Sequence, residues 1–133
     1  MSKGQRRAQD AMARILIADD DPGAREMLGR ICEFHGHEIE AVSDPDKARL
    51  AYDAFEPDAV ILDLSMPKGG GKAFLEGLRT SRPRHLSPVI VVSGYVDAIG
   101  ETELKRLGAH SVVRKPVEVQ TMLDAIDEAL GVK

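Results

Sequence analysis

Five residues with chemically active side chains follow apolar runs of this sequence, at the points where the runs end: Asp19, Asp20, Asp63, Ser93 and Lys115. Apolar runs of four or five residues bounded by turn signals are typical of strands buried on both faces of a sheet. In an open parallel sheet the carboxyl ends of the strands lie at one edge, and sites form there. We therefore expect these carboxylates, the hydroxyl and the ammonium group to meet at one edge of one sheet.

The clustered acids predict a site for a hard cation. Carboxylates held together raise one another's pKa unless a cation intervenes. An oxygen-only ligand set at a partly open site suits Mg²⁺. We assign Asp21, which precedes Pro22, to capping the first helix instead. His35 and His37 do not have the spacing of a zinc site and are predicted to be surface residues in a turn.

The same groups suggest phosphoryl transfer. Beside Mg²⁺, Asp63 is a candidate nucleophile that attacks an activated phosphoryl group and becomes an aspartyl phosphate. Lys115 offers a flexible positive charge and Ser93 a hydroxyl donor for the phosphoryl oxygens. Flavin or nucleotide binding is disfavoured because the loop after the first run carries carboxylates, which repel a phosphate that arrives without a metal.

Strand and helix patterns alternate along the chain. The apolar runs at 14–18, 59–62, 89–92 and 112–113, together with Glu38–Val42, predict five strands, and five helical segments follow them. This alternation predicts an α/β fold with a parallel sheet covered on both faces. The predicted helices are a segment ended by Gly36, a second from the Asp44 cap through Phe55, a third at 73–79 after a glycine-rich loop at 66–71, a fourth at 98–107, and a last one at about 119–130.

Length, net charge and cysteine content limit the kinds of protein that this chain can be. The 133 residues suit one domain, and a net charge of −4 gives no argument for direct contact with nucleic acid. No apolar stretch is long enough for membrane insertion. Cys32 is the sole cysteine, so an intramolecular disulfide is excluded, a cytoplasmic location is expected, and Cys32 itself is predicted to lie in the core. Residues 1–13 are polar and basic and are predicted to form a flexible tail.

The motifs together resemble a known family. The segments that carry the likeness are 15–22 (ILIADDDP), 62–67 (LDLSMP), 91–94 (VVSG) and 114–116 (RKP). In this order and spacing, the chain resembles a receiver domain of a two-component response regulator over residues 14–131.

That resemblance implies a five-stranded parallel sheet in the order 2-1-3-4-5 with five helices on both faces. It implies a phosphoryl group received from a histidine kinase or a histidine phosphotransfer protein, and an output protein bound by the face of the fourth helix, last strand and last helix. Such a domain catalyses its own phosphorylation and dephosphorylation and is not a conventional enzyme. The implied roles are phosphoacceptor for Asp63, Mg²⁺ ligands for Asp19, Asp20, Asp63 and the backbone carbonyl of Ser65, phosphoryl-oxygen contacts for Ser93 and Lys115, and a cis Lys115–Pro116 bond.

The sequence departs from the family at one switch position. The family usually has an aromatic residue three positions before its lysine, and this chain has the stiff, β-branched Val112 there. We therefore expect a signal to travel through the loop of Gly94 and Tyr95 and the fourth helix. Ser65 and Tyr95 also occupy positions that govern water's access to the phosphate in the family.

The resemblance is to the stand-alone, single-domain type of regulator, and four alternatives remain open at this point. One is a protein-binding module of the same fold that works without phosphorylation, another is a receiver fragment of a larger regulator or hybrid kinase, and the next is a relay or sink that passes on or loses phosphoryl groups. The fourth, a metal-dependent phosphatase, is disfavoured because such enzymes need a general acid near the nucleophile, often two residues on, and Ser65 stands there.

Overall fold

The computed structural model describes residues 13–66, 70–81, 87–94 and 100–131. Strands and helices alternate through these segments, as the sequence pattern predicted. None of the helices in these segments is both long and apolar enough to cross a bilayer. The elements are β1 (Arg14–Ala18), α1 (Pro22–Phe34), β2 (Glu38–Val42), α2 (Pro45–Phe55), β3 (Ala59–Asp63), α3 (Gly70–Ser81), β4 (Val89–Ser93), α4 (Glu101–Arg106), β5 (Ser111–Arg114) and α5 (Val119–Leu130).

The strands form one five-stranded sheet with the order β2-β1-β3-β4-β5 and only parallel pairs. This order confirms the predicted topology. The register pairs Ala18 with Leu62 and Asp63 with Val92, so β1, β3 and β4 end at the same level. The residues that follow these strand ends are therefore brought together at one edge of the sheet.

Two apolar clusters, one on each face of the sheet, bury it between the helices. One cluster packs Leu16 and Leu62 against Phe74 of α3 and Leu104 of α4. The other packs the opposite faces of the same strands against α1 and α5, and it includes the fully buried Cys32. The predicted core position of Cys32 is confirmed, and the burial of both sheet faces explains why the strands are continuous apolar runs.

Aspartates cap the first two helices. The carboxylate of Asp21 accepts a hydrogen bond from the Ala24 amide at 3.0 Å, and Asp44 accepts one from the Lys47 amide at 2.8 Å. A proline follows each cap in the first helical turn, where its missing N–H costs nothing. Both predicted caps are confirmed, and the capping role of Asp21 leaves Asp19 and Asp20 for the site.

The predicted start of the third helix is wrong. The glycine-rich segment was expected to remain a loop to residue 71, but α3 begins at Gly70. A Cβ on Gly71 would lie 2.7 Å from both the Asp63 carbonyl oxygen and Leu64 Cα. Glycine is needed there because the helix backbone approaches the end of β3 closely, and this tertiary contact outweighs the low helix propensity of glycine.

The fourth helix is shorter than predicted within the described residues. It spans Glu101–Arg106, with Leu107 as its C-cap, whereas the pattern indicated 98–107. Gly108 follows with a φ of 117°, in the region that glycine favours, and ends the helical path. Residues 95–99, and with them the start of the predicted helix, lie outside the described residues.

His37 is buried, so the prediction of a surface position is wrong for this residue. It is only 6% exposed, and its Nδ1 atom accepts a hydrogen bond from the Ala13 amide at 3.2 Å. The Glu38 amide in turn donates to the Ala13 carbonyl at 2.9 Å. The backbone at Ala13 is thus fixed beside β2, while residues 1–12 of the predicted tail lie outside the described residues.

Burial lowers the pKa of His37, and the neighbouring His35 lowers it further, against smaller opposing effects of Asp127 and Asp58. The neutral ring also matches the hydrogen bond, because only an unprotonated Nδ1 can accept from Ala13.

We predict that Gly71→Ala lowers the free energy of unfolding by about 1–3 kcal/mol, because the added methyl group overlaps backbone atoms that cannot move independently. The matched control is Gly77→Ala in the same helix, where a Cβ would meet no atom of the described residues within 4 Å. Gly77→Ala should stabilise the protein by about 0.5–1 kcal/mol through helix propensity. Urea unfolding of both variants tests the close approach, and equal effects of the two substitutions would contradict it.

We predict that His37 makes the protein less stable as the pH falls. A histidine whose folded pKa lies below its ordinary value of 6.5 binds a proton more weakly in the folded state, so its stabilising contribution is complete above pH 6.5 and declines below it. Urea unfolding between pH 7.5 and 5.5 should show a steeper loss for wild type than for His37→Gln. The exposed His110→Gln should behave as wild type, and identical slopes for wild type and His37→Gln would refute the assignment.

Candidate functional site

Three aspartates meet where β1 and β3 end. Asp19, Asp20 and Asp63 each place one carboxylate oxygen within 4.8 Å of the others. Asp19 and Asp63 are almost completely buried, at 0% and 1% exposure, while Asp20 is exposed. The structure therefore brings the predicted acids together at a site in which Asp19 and Asp63 are buried and Asp20 is at the surface.

Two carboxylate oxygens of this cluster are buried without hydrogen-bond partners in the described part of the chain: Asp19 Oδ2 and Asp63 Oδ2. The other oxygen of Asp19 accepts a hydrogen bond from the Asp21 amide at 2.9 Å. A buried carboxylate oxygen without a donor costs free energy unless a proton or a cation compensates it. The set of hard oxygen ligands, two of them unsatisfied, fits a small divalent cation such as Mg²⁺.

The cost of burial is visible in the ionisation of Asp19. Burial raises the pKa of Asp19 from 3.8 to about 6, and the negative charge of Asp63 adds to this rise. The Asp21 amide and the Lys115 charge oppose it but do not cancel it. Asp19 thus meets the expectation that crowded carboxylates raise their own pKa.

Asp63 behaves in the opposite way. Burial alone would raise its pKa, but two hydrogen bonds from Ser65 and the charge of Lys115 outweigh burial and hold the pKa below 3.8. The Ser65 amide donates to Asp63 Oδ1 at 3.0 Å, and the Ser65 hydroxyl donates to the same oxygen at 2.7 Å. Asp63 is therefore held as a carboxylate anion, the protonation state that a nucleophile requires.

Lys115 and Ser93 are brought to the same edge by the last two strands. The Lys115 amide donates to the Ser93 carbonyl at 3.2 Å, which fixes the start of the β5–α5 loop against the end of β4. Lys115 Nζ lies 3.5 Å from Asp63 Oδ1, and Ser93 is fully buried one strand away from Asp63. The Lys115–Pro116 bond is cis, as expected from the resemblance.

Val112, which stands where the family usually has an aromatic residue, packs as an ordinary strand residue. Val112 pairs with Val91 in the sheet and is partly buried against the apolar cluster that contains Leu104. Tyr95, the other residue of the expected signalling route, lies outside the described residues. Position 112 thus holds a packed valine and no aromatic ring that could turn inward.

The hydrogen bond from the Ser65 hydroxyl to the candidate phosphoacceptor Asp63 is a contact that sequence reasoning missed. The family resemblance implies a role only for the Ser65 backbone carbonyl and for the effect of this position on water's access to the phosphate. The side chain of an Asp commonly accepts a hydrogen bond from the residue two positions later. The Asp63-x-Ser65 spacing is therefore the sequence signal for this contact. The role of the Ser65 carbonyl as a metal ligand stays a prediction.

Comparison with known proteins places the chain in a family. Residues 15–127 match the family model of the response regulator receiver domain. The protein PilH of Pseudomonas aeruginosa is 34% identical over 121 residues, which cover 90% of this chain and 99% of PilH. The regulatory protein AtoC of Escherichia coli is 30% identical over 120 residues, but the chain spans only 26% of its length.

A solved structure supports the same assignment. The chemotaxis protein CheY4 of Vibrio cholerae superimposes with a TM-score of 0.82 at 25% identity, over 90% of this chain and 99% of CheY4. Topology, acidic cluster and relatives agree, and on these grounds the chain belongs to the response regulator receiver domain family.

Proposed function

We propose that this receiver domain is switched by phosphorylation of Asp63. The observation that carries the proposal is the buried pair of Asp19 and Asp63: each has one oxygen without a hydrogen-bond partner in the described residues, and the other oxygen of Asp63 lies 3.5 Å from Lys115 Nζ. A carboxylate anion, a nearby ammonium group and unsatisfied oxygen ligands are the groups that phosphoryl transfer to an aspartate requires.

In the proposed reaction an oxygen of Asp63 attacks the phosphorus atom of a phosphohistidine on a histidine kinase or phosphotransfer protein. The bond from oxygen to phosphorus forms, the phosphorus–nitrogen bond breaks, and the electron pair leaves with the imidazole. Lys115 and Ser93 hold the phosphoryl oxygens in line. Asp19, Asp20, Asp63 and the Ser65 carbonyl would hold Mg²⁺, which supplies charge neutralisation for the phosphoryl group when it is bound.

The output of the domain is a change of surface, so the domain is not a conventional enzyme in this proposal. Phosphorylation adds about 1.5 to 2 negative charges at neutral pH, which shifts the population of conformations near the site. The proposed partner surface is the face of α4, β5 and α5, and the proposed location is the cytoplasm. Because Val112 replaces the usual aromatic residue, the signal is expected to reach α4 through the β4–α4 connection.

Phosphorylation of Asp63 is tested with a small phosphodonor. Incubation with acetyl phosphate and Mg²⁺ should add one phosphoryl group to the intact protein, and Asp63→Asn should abolish the adduct because an amide is not nucleophilic. Asp46→Asn is the matched control, since Asp46 is an exposed aspartate on α2 that pairs with Arg49. An adduct of wild-type yield on Asp63→Asn would contradict the assignment.

The metal site is tested by thermal unfolding with Mg²⁺ and with a chelator. Binding to the folded state alone stabilises a protein by mass action, so Mg²⁺ should raise the Tm of wild type. Asp19→Asn should raise the Tm of the chelated protein, because it removes a buried charge, and should weaken Mg²⁺ binding about tenfold or more. Asp46→Asn serves again as the control, and a Mg²⁺-induced shift equal to wild type in Asp19→Asn would exclude Asp19 as a ligand.

A further inference from the structure

The phosphoacceptor is enclosed in this structure. The side chain of Asp63 is 1% exposed, and one of its two oxygens, Oδ2, is completely covered. Ser65, by contrast, is exposed, and its hydroxyl lies 2.7 Å from Asp63 Oδ1. Any phosphodonor that reaches Asp63 must therefore displace a group that now covers it.

The two oxygens of Asp63 have different surroundings. Oδ2 has no hydrogen-bond donor among the described residues, and neither has Asp19 Oδ2, so we take these two atoms as the side of the cluster that would bind a cation. Oδ1 is the acceptor for the Ser65 amide, the Ser65 hydroxyl and, at 3.5 Å, Lys115 Nζ. Oδ1 is thus on the Lys115 side, where an incoming phosphoryl group meets positive charge, and we assign it as the attacking oxygen.

Three donors share the two lone pairs of Oδ1, so a phosphorus atom can bond to this oxygen only after donors have moved away from it. The Ser65 amide is part of the turn after β3, and Lys115 is needed by the phosphoryl oxygens. The Ser65 hydroxyl is the movable donor, because an exposed serine side chain can change rotamer about a single bond.

Resting on the proposed function, we propose that the Ser65 hydroxyl is a gate over Asp63 Oδ1: it covers the attacking oxygen in the resting domain and rotates away before phosphoryl transfer. The transfer then proceeds as a simple displacement. The Oδ1–phosphorus bond forms, the bond from phosphorus to the leaving group breaks, and its electron pair departs with acetate or imidazole.

Transfer also removes the acceptor of the gate. Once Oδ1 bridges the carbonyl carbon and phosphorus it is a weak hydrogen-bond acceptor, so the Ser65 hydroxyl does not return to its resting contact.

The test compares phosphorylation rates of matched variants with acetyl phosphate and Mg²⁺, followed by intact mass. Ser65→Ala removes the gate and should form the adduct about three- to tenfold faster than wild type, the change expected for loss of one net hydrogen bond. Ser65→Thr keeps the hydroxyl and should stay within about twofold of wild type. Ser43→Ala, a serine substitution in the β2–α2 connection, should leave the rate unchanged.

Two binding measurements separate a gate from a purely structural role. The affinity for Mg²⁺ alone should be unchanged in Ser65→Ala, because the main chain of residue 65 is retained. The affinity for beryllofluoride, an unreactive phosphoryl mimic, should rise by the same three- to tenfold factor as the rate, about the value of one net hydrogen bond. Amide chemical shifts during titration report both affinities.

The outcomes distinguish failure of the Ser65 gate from failure of the proposed phosphorylation of Asp63. An adduct on wild type that forms no faster on Ser65→Ala overturns the gate, whatever the beryllofluoride affinity, and leaves the proposed function intact. No adduct and no beryllofluoride binding on any variant overturns the proposed function, and the gate with it. Faster transfer in Ser65→Ala together with rates near wild type in Ser65→Thr supports the gate.

Discussion

The burial of two carboxylates side by side is the constraint on which the rest of this structure depends. Asp19 and Asp63 follow neighbouring parallel strands and are almost completely covered, and each retains an oxygen without a donor in the described residues. Such an arrangement is costly for folding alone. It is explained if the site is built for a cation and a phosphoryl group, since strain of this kind collects at functional sites.

Several different elements of the fold position Asp19 and Asp63. The parallel register aligns the strand ends, and the cap at Asp21 begins α1 while its amide orients Asp19. Close packing of α3 at Gly71 fixes the turn that follows Asp63. On the far side, the link between Lys115 and Ser93 sets the lysine within reach of Asp63 Oδ1, and Ser65 completes the cover. The opposite pKa shifts of Asp19 and Asp63 follow from this unequal distribution of donors.

Sequence patterns predicted the features that depend on local periodicity and on strand ends. The alternation of elements, the caps at Asp21 and Asp44, and the convergence of Asp19, Asp20, Asp63 and Lys115 could all be anticipated, and the strand order came from the family resemblance. What could not be anticipated depends on contacts between distant segments. Gly71 is helical because of the backbone of β3, and His37 is buried because Ala13 supplies a donor to its ring. The Ser65 hydroxyl contact depends on a rotamer, which residue spacing does not determine.

Chemical location of the phosphoryl group shows whether Asp63 carries it. Borohydride reduces an acyl phosphate to an alcohol, so treatment of the phosphorylated protein followed by peptide mapping marks the modified residue. If Asp63 is the phosphoacceptor, homoserine should appear at position 63, and the aspartates at positions 19 and 20 should be unmodified. Reduction at Asp19 or Asp20, or a phosphoryl group that resists borohydride because it is on serine or histidine, would contradict that role.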